Sequence, residues 1–143
     1  MSDHLAQIER FLAALVEPGT VFEIRAPKCR ERQGASYTST ASGYFTHATI
    51  PNAAAEAARL DAAGVAPGIY VTLNPVLPDL VARAANRVER RASATTGDHE
   101  VVRRRRLLID CDPVRAAGIS SSDEELALAK ASIEAVRADL DGL

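Results

Sequence analysis

The sequence is poor in cysteine and has no long apolar run, and each shortage excludes a class of protein. Its 143 residues include two cysteines, Cys29 and Cys111, which form no CxxC or CxxxC motif and are therefore expected to be reduced thiols. The longest stretch without Asp, Glu, Lys or Arg, residues 33–55, is largely polar and cannot supply the about 20 apolar residues of a membrane span. The N-terminus lacks the basic and apolar segments of an export signal. We therefore expect a cytoplasmic protein without membrane contact.

The sequence also lacks an excess of charge of either sign, although its charges are unevenly distributed. Seventeen Lys and Arg stand against nineteen Asp and Glu, a net charge of −2, which gives no general indication of a polyanionic partner. Residues 83–106 nevertheless carry eight Arg against three acids, whereas residues 107–143 carry three basic and eight acidic residues. The basic stretch is a candidate nucleic-acid surface, and a solvated face is the alternative.

Length and composition are those of one globular domain. Hydrophobic residues make up 47% and charged residues 25% of the chain, which is close to the globular average. A chain of this size can bury roughly two-thirds of its unfolded surface, enough for one core. We therefore predict a single domain over residues 1–143.

The order of hydrophobic patterns predicts an α+β fold, with helices flanking a mixed or mainly antiparallel sheet in the order α-β-β-α-β-α-β-α. The predicted strands are residues 21–25, 43–46, 68–73 and 105–111, and the predicted helices are residues 5–15, 51–64, 78–88 and 122–140.

Two of these elements carry further detail. The first strand places Glu23 on the face opposite Phe22, and we expect it to form a hairpin with the second strand, with residues 26–39 as a loop. Ser122 and Glu125 form a capping box at the start of the last helix. The stripe of that helix expected to face the core is Leu126, Ala129, Ile133, Val136 and Leu140.

A pair of carboxylates lies at the end of the last predicted strand. Because side chains alternate along a strand, Asp110 and Asp112 are expected on one face, with Cβ atoms about 7 Å apart. Two carboxylates at that separation can bind one Mg²⁺ or bracket two, as in two-metal phosphoryl transfer. Arg104 and Arg106 fall on the same face, where they would contact phosphates or neutralise the carboxylates. Surface acids beyond a core strand are the alternative interpretation.

Three enzyme classes share this motif but agree poorly with the rest of the sequence. A haloacid-dehalogenase-type phosphatase needs more chain after Asp112 than is present here. A topoisomerase-primase domain needs an earlier catalytic Glu at a strand end, whereas Glu23 lies within a strand. Nothing besides the motif favours a nucleotide-sugar transferase.

Six short segments in a defined order form a more specific pattern than the carboxylate pair alone. They are Glu23-Ile24-Arg25-Ala26, Ser42-Gly43-Tyr44-Phe45, residues 68–75 (GIYVTLNP), Asn86-Arg87, residues 108–115 (LIDCDPVR) and residues 118–125 (GISSSDEE). Together they resemble the front of phage and plasmid primase-polymerases of the archaeo-eukaryotic primase superfamily, and they span nearly the whole chain. The resemblance implies a partial primase-polymerase-like core.

The resemblance also implies a function, which is template-directed nucleotidyl transfer that makes primers. Asp110 and Asp112 would be the catalytic residues that bind Mg²⁺ or Mn²⁺. The implied partners are nucleotides and nucleic acid, together with a helicase or a chain that supplies missing motifs. The superfamily's second motif carries a His and its third a further acid, yet His4, His47 and His99 all precede Asp110. We therefore expect an incomplete active site and no primer synthesis by this chain alone.

Four further residues are candidates for binding nucleotide or nucleic acid, namely Asn74, Arg104, Arg106 and Arg115. Asn74 follows a predicted strand and precedes a proline, so it serves either as a ligand or in a turn. Arg115 would contact a phosphate or the carbonyl groups of its own loop.

Two function classes are thus expected. The first is a nucleotidyltransferase segment of a mobile-element replication protein. The second is a non-catalytic module, derived from a primase, that binds nucleic acid or a replication partner through residues 83–106. Binding by such a module would weaken steeply with salt and would not need Asp110 and Asp112.

Overall fold

The computed structural model describes residues 2–116 and 118–142. These residues form two compact units, Met1–Arg106 and Leu107–Leu143, and each is described by itself. The prediction of one domain over residues 1–143 stays a prediction. No helix in the described ranges is both long enough and apolar enough to cross a membrane.

The centre of the first unit is an antiparallel hairpin of two long strands. Strand β1 (Val21–Arg30) pairs with strand β2 (Thr38–Thr46), and the register runs from Val21 opposite Thr46 to Arg30 opposite Thr38. The hairpin predicted from the sequence is confirmed, but the predicted loop over residues 26–39 is too long. A register shift between Ala26 and Cys29, with Lys28 at φ 53°, bends the strand and lets it continue to Arg30.

Two short strands complete a four-stranded antiparallel sheet of order β3-β1-β2-β4. Strand β3 (Tyr70–Val71) pairs with β1, and strand β4 (Glu89–Arg90) pairs with β2. Helices α1 (Ser2–Leu15) and α2 (Ile50–Ala62) contribute Leu12, Ile50 and Leu60 to the main core. The predicted α+β class with a mainly antiparallel sheet is therefore confirmed.

Side-chain alternation along β1 separates the two faces of the sheet, as the sequence predicts. Phe22, Ile24 and Ala26 belong to the core that includes the helices. Val21 lies on the opposite face in a second apolar cluster, whose other members are Tyr44, Val76, Leu80 and Ala84. Glu23 and Arg25 share the face of Val21 and form a polar site there.

Gly43 in β2 lies against backbone, and a side chain at this position should be costly. A Cβ atom on Gly43 would stand 2.1 Å from the Arg87 carbonyl oxygen, which cannot rotate away. We expect Gly43→Ala to lower the free energy of unfolding by about 2 kcal/mol, as overpacking in cores does. Urea denaturation measures this. Gly142→Ala is the control, because its Cβ would have no neighbour nearer than 3.6 Å; equal losses in the two variants would contradict the prediction.

The helix predicted over residues 78–88 is wrong in length and type. The structure has a short 3₁₀ helix, Pro78–Arg83, after which Ala84 leaves the helical region with φ −160° and ψ 76°. The next peptide groups bind β2 instead, since the Tyr44 N–H donates to the Ala84 carbonyl (3.0 Å) and the Asn86 N–H donates to the Tyr44 carbonyl (2.9 Å). These bonds take the backbone groups that a continuing helix would need.

The second unit contains helix α3 (Asp123–Asp141), which confirms the predicted helix. Its capping box is present, with the Glu125 N–H donating to Ser122 Oγ (3.2 Å) and the Ser122 N–H donating to Glu125 Oε2 (2.8 Å). The expected core stripe is wrong, because α3 has no buried residue and Leu140 is 52% exposed. A unit of under about 40 residues cannot build a core that encloses such a stripe.

Candidate functional site

The two carboxylates singled out by the sequence lie in the second unit and are both exposed. Exposure alternates over residues 109–113. Asp110 and Asp112 are open to solvent, and the half-buried residues between and beside them are Ile109, Cys111 and Pro113. Within residues 2–116 and 118–142, neither carboxylate takes part in an ion pair. Both are therefore accessible to a cation.

The predicted strand over residues 105–111 is wrong, and exposure alternates only from Ile109 onward, because Leu107 and Leu108 are both exposed. Backbone pairing stops at Val102, whose N–H donates to the Pro75 carbonyl (2.9 Å). Beyond Val102, the side-chain amide of Asn74 forms hydrogen bonds with the backbone of Arg105 and Arg106. Its Oδ1 accepts from the N–H groups of Arg105 (2.8 Å) and Arg106 (2.9 Å), and its Nδ2 donates to the Arg106 carbonyl (2.9 Å). Arg105 and Arg106 therefore cannot use these groups in a strand ladder, because the Asn74 side chain already holds them.

Asn74 thus has a structural role that differs from the predicted turn, because its hydrogen-bond partners are 31 and 32 residues away. Its role as a ligand stays a prediction. We expect Asn74→Ala to cost about 1–2 kcal/mol of unfolding free energy, because it leaves these backbone groups of Arg105 and Arg106 without their partner. Thermal or urea unfolding measures the change. Asn52→Ala, at an exposed position of α2, should cost far less. Loss of nucleotide binding with unchanged stability would instead favour the ligand role.

The donor set near Asp110 and Asp112 fits a hard divalent cation only in part. In the described part of the chain there is no group of three or more His, Cys, Asp or Glu side chains able to hold a metal ion. Mg²⁺, however, is usually held by one or two carboxylates, with water and substrate phosphates completing its coordination. Binding of Mg²⁺ or Mn²⁺ by this pair would therefore need further ligands, such as water and a phosphate.

The predicted phosphate-binding arginines have different surroundings. Arg106 donates to the Leu15 carbonyl at the end of α1, and Arg115 donates to the Ile119 carbonyl. Arg115 thereby follows the second of its two alternatives, contact with its own loop. Arg104 is exposed, lines a cavity of the first unit, and has no ion pair among the described residues.

The rest of the basic stretch is mostly occupied by internal contacts. Five of its arginines form ion pairs with glutamates of the first unit: Arg83, Arg87, Arg91, Arg103 and Arg105. Arg90 donates to the carbonyl groups of Arg30 (3.3 Å) and Glu31 (2.6 Å). Residues 83–106 are therefore not a continuous surface of free cations.

The structure contains a buried polar site that the sequence did not identify. Glu23 is fully buried, and its carboxylate accepts from Arg25 Nε (3.1 Å) and Nη2 (2.6 Å), from Ser42 Oγ (2.5 Å) and from the Thr96 N–H (3.1 Å). Burial alone raises the pKa of Glu23, but hydrogen bonds from Arg25, Ser42 and Thr96 outweigh it and hold the pKa below its usual range. The sequence signal was an acid and a base two residues apart on one face of an apolar strand.

A second ion pair adjoins this site. Arg83 binds Glu100 through Nη1 (3.1 Å) and Nη2 (2.5 Å), and the Gly97 N–H also donates to Glu100 (2.9 Å). The hydrogen bond from Arg83 is the main cause that lowers the pKa of Glu100. The two pairs are linked through the Tyr44 hydroxyl, which accepts from the Thr96 hydroxyl (3.3 Å) and from Arg83 Nη1 (3.4 Å), while the Thr96 N–H donates to Glu23. Together they fix residues 95–100 against the sheet.

A cavity of about 470 Å³ opens beside this network. Its wall includes polar side chains from Arg25, Tyr70, Thr96, Asp98 and Arg104.

Comparison of this chain with protein-family models, with curated proteins and with solved structures found no match.

Proposed function

We propose that this chain carries the metal-binding carboxylate pair of a primase-polymerase-type nucleotidyltransferase. The observation that supports the proposal is the accessible pair Asp110 and Asp112, which are exposed in alternation with half-buried neighbours and are free of ion pairs among the described residues. The resemblance in segments 68–75 and 108–115 favours nucleotidyl transfer over other metal chemistry.

In this proposal, Asp110 and Asp112 bind Mg²⁺ or Mn²⁺ jointly with the phosphates of a nucleoside triphosphate. The ion would stabilise the charge that develops on the attacking and leaving oxygens. The two carboxylates would fix the position of the phosphates, because a hard cation held on one side by protein oxygens accepts phosphate oxygens on the other. The proposal assigns this chain a metal-binding role and does not assign it primer synthesis on its own.

A non-catalytic nucleic-acid-binding module is the second candidate function. The observation in its favour is Arg104, which faces a cavity and has no ion pair within the described ranges. The occupied state of the neighbouring arginines counts against a broad electrostatic surface, because an ion-paired guanidinium releases fewer counterions from a polyanion.

Metal-dependent nucleotide binding tests the proposed function. A fluorescent nucleoside triphosphate is titrated with protein at constant ionic strength, once with Mg²⁺ and once with EDTA, and its anisotropy is recorded. We expect binding with Mg²⁺ that weakens by about tenfold or more when the metal is removed. Equal affinity under the two conditions would contradict the metal role and favour the module.

A further inference from the structure

The cavity of the first unit has a wall built from a cross-strand pair. Tyr70 of β3 stands directly opposite Arg25 of β1 in the antiparallel register. Directly opposite residues project from the same face, with Cβ atoms about 5 Å apart. The two side chains therefore project from the same face of the sheet, and both residues line the cavity.

Tyr70 presents an aromatic surface that the core does not use. It is 61% exposed although it belongs to a strand. Its ring rests on Gly68, because a Cβ atom at that glycine would come within 3.1 Å of three ring and hydroxyl atoms. Because the ring lies against Gly68 and more than half of the residue is exposed, Tyr70 can stack on a planar group.

Two guanidinium groups at the cavity retain donor capacity. Arg25 uses Nε and Nη2 for Glu23 and for the Thr96 carbonyl, while its Nη1 has no hydrogen bond in the described part of the chain. Arg104 differs from Arg103 and Arg105, which both bind Glu17. One carboxylate, Asp98, also lines the cavity, and it can accept from the N–H groups of a base but not from a phosphate.

We propose that this cavity binds one nucleotide unit, with the base stacked on Tyr70 and the phosphate held by Arg104 and the free edge of Arg25. A volume of about 470 Å³ is within the range of small-molecule sites, about 300–1,000 Å³. An aromatic platform next to cationic groups is the usual arrangement for unpaired nucleotides. The ligand is either a free nucleotide or a nucleotide within a single strand, since both present the same base and phosphate.

The proposal is independent of Asp110 and Asp112, so its test is carried out in EDTA. Two probes are used at low salt, a labelled 12-residue single-stranded DNA followed by anisotropy and a free nucleoside monophosphate as its competitor. Tyr70→Ala should weaken binding by about tenfold through loss of stacking, whereas Tyr70→Phe should stay within about twofold. The exposed position of Tyr70 means that both variants should fold, which circular dichroism checks.

The charge requirement has its own matched pair of variants. Arg104→Ala should weaken binding several-fold. It should also reduce by about one the slope of the logarithm of affinity against the logarithm of salt concentration. Arg103→Ala removes the same charge from a residue already paired with Glu17 and should have the smaller effect.

The outcomes separate the two ligand sources and the two sites. Competition by the monophosphate identifies a free-nucleotide site, and binding of the strand alone identifies a single-strand site; either supports the proposal. Unchanged affinity in Tyr70→Ala, or no binding of either probe, overturns it. Loss of EDTA-resistant binding in Asp110→Asn with Asp112→Asn also overturns it, whereas failure of Mg²⁺-dependent binding alone contradicts only the proposed function.

Discussion

Replacing Glu23 by alanine should lower the free energy of unfolding by about 3 kcal/mol, because it breaks a buried charge pair from one side. The substitution leaves Arg25 without its bidentate partner and leaves Ser42 Oγ and the Thr96 N–H without their acceptor. Burying unpaired polar groups is costly, whereas exposed pairs contribute little. Urea unfolding at neutral pH measures the loss.

The matched control is Glu31→Ala, which removes an exposed carboxylate paired with Arg91. Both side chains of that pair are about 60% exposed, so we expect a change of under about 1 kcal/mol. Comparable losses in the two variants would show that burial of Glu23 does not determine its contribution.

Glu23 should also make the free energy of unfolding depend on pH in the acid range. The folded-state pKa of Glu23 lies below its ordinary value of 4.5. Its stabilising contribution is therefore fully present above pH 4.5 and is lost as the pH falls through the folded-state pKa. Unfolding measured from pH 7 down to pH 3 should show a shallower decline in Glu23→Gln than in the unmodified protein, because glutamine cannot take up the proton.

Exchange of both motif carboxylates for amides should strongly weaken metal-dependent nucleotide binding. Asp110→Asn with Asp112→Asn preserves side-chain size and removes both charges that would hold the cation. Residues that only support metal ligands already change affinity by about 10- to 100-fold when mutated, so we expect about 100-fold for the ligands themselves. The readout is the Mg²⁺-dependent part of nucleoside triphosphate binding.

Helix α3 offers a control with the same spacing and the same change in charge. Asp139→Asn with Asp141→Asn also removes two exposed carboxylates two residues apart. On a helix such residues point in different directions, so this pair cannot act jointly on one ion. Equal loss of binding in the two double variants would mean that net charge alone attracts the metal complex.

The sequence was sufficient for the elements whose pattern is local. The hairpin follows from alternation over residues 21–25 and 43–46, and α3 follows from its apolar period and from Ser122 with Glu125. Helical spacing alone could not show that no residue of α3 is buried, because burial depends on the surroundings of the helix.

The errors arose where distant residues determine the local conformation. The segment at 78–88 has a helical pattern, but hydrogen bonds with Tyr44 stop the helix at Arg83. The segment at 105–111 has a strand pattern, but the side chain of Asn74 holds its first backbone groups. Nothing in the local pattern identifies partners some 30 or 40 residues away.

The candidate site was only partly accessible to sequence reasoning. Asp110 and Asp112 were predicted as a metal pair from their spacing; both are exposed, and their metal role stays a prediction. Glu23 was treated as an ordinary strand residue, because one acid in a short strand does not by itself indicate burial. Tyr70 was assigned only to the predicted strand over residues 68–73, whose pattern does not show that this strand lies at the edge of the sheet with Tyr70 exposed.

The most direct test of the central claim is paramagnetic broadening by Mn²⁺ in the ¹⁵N-labelled protein with a nucleoside triphosphate present. Small additions of Mn²⁺ should broaden the amide signals of residues 109–112 before those of any other segment, and Asp110→Asn with Asp112→Asn should remove this effect. If the acidic first turn of α3 (Asp123, Glu124 and Glu125) broadens first, or if residues 109–112 are unaffected, Asp110 and Asp112 are not the metal site.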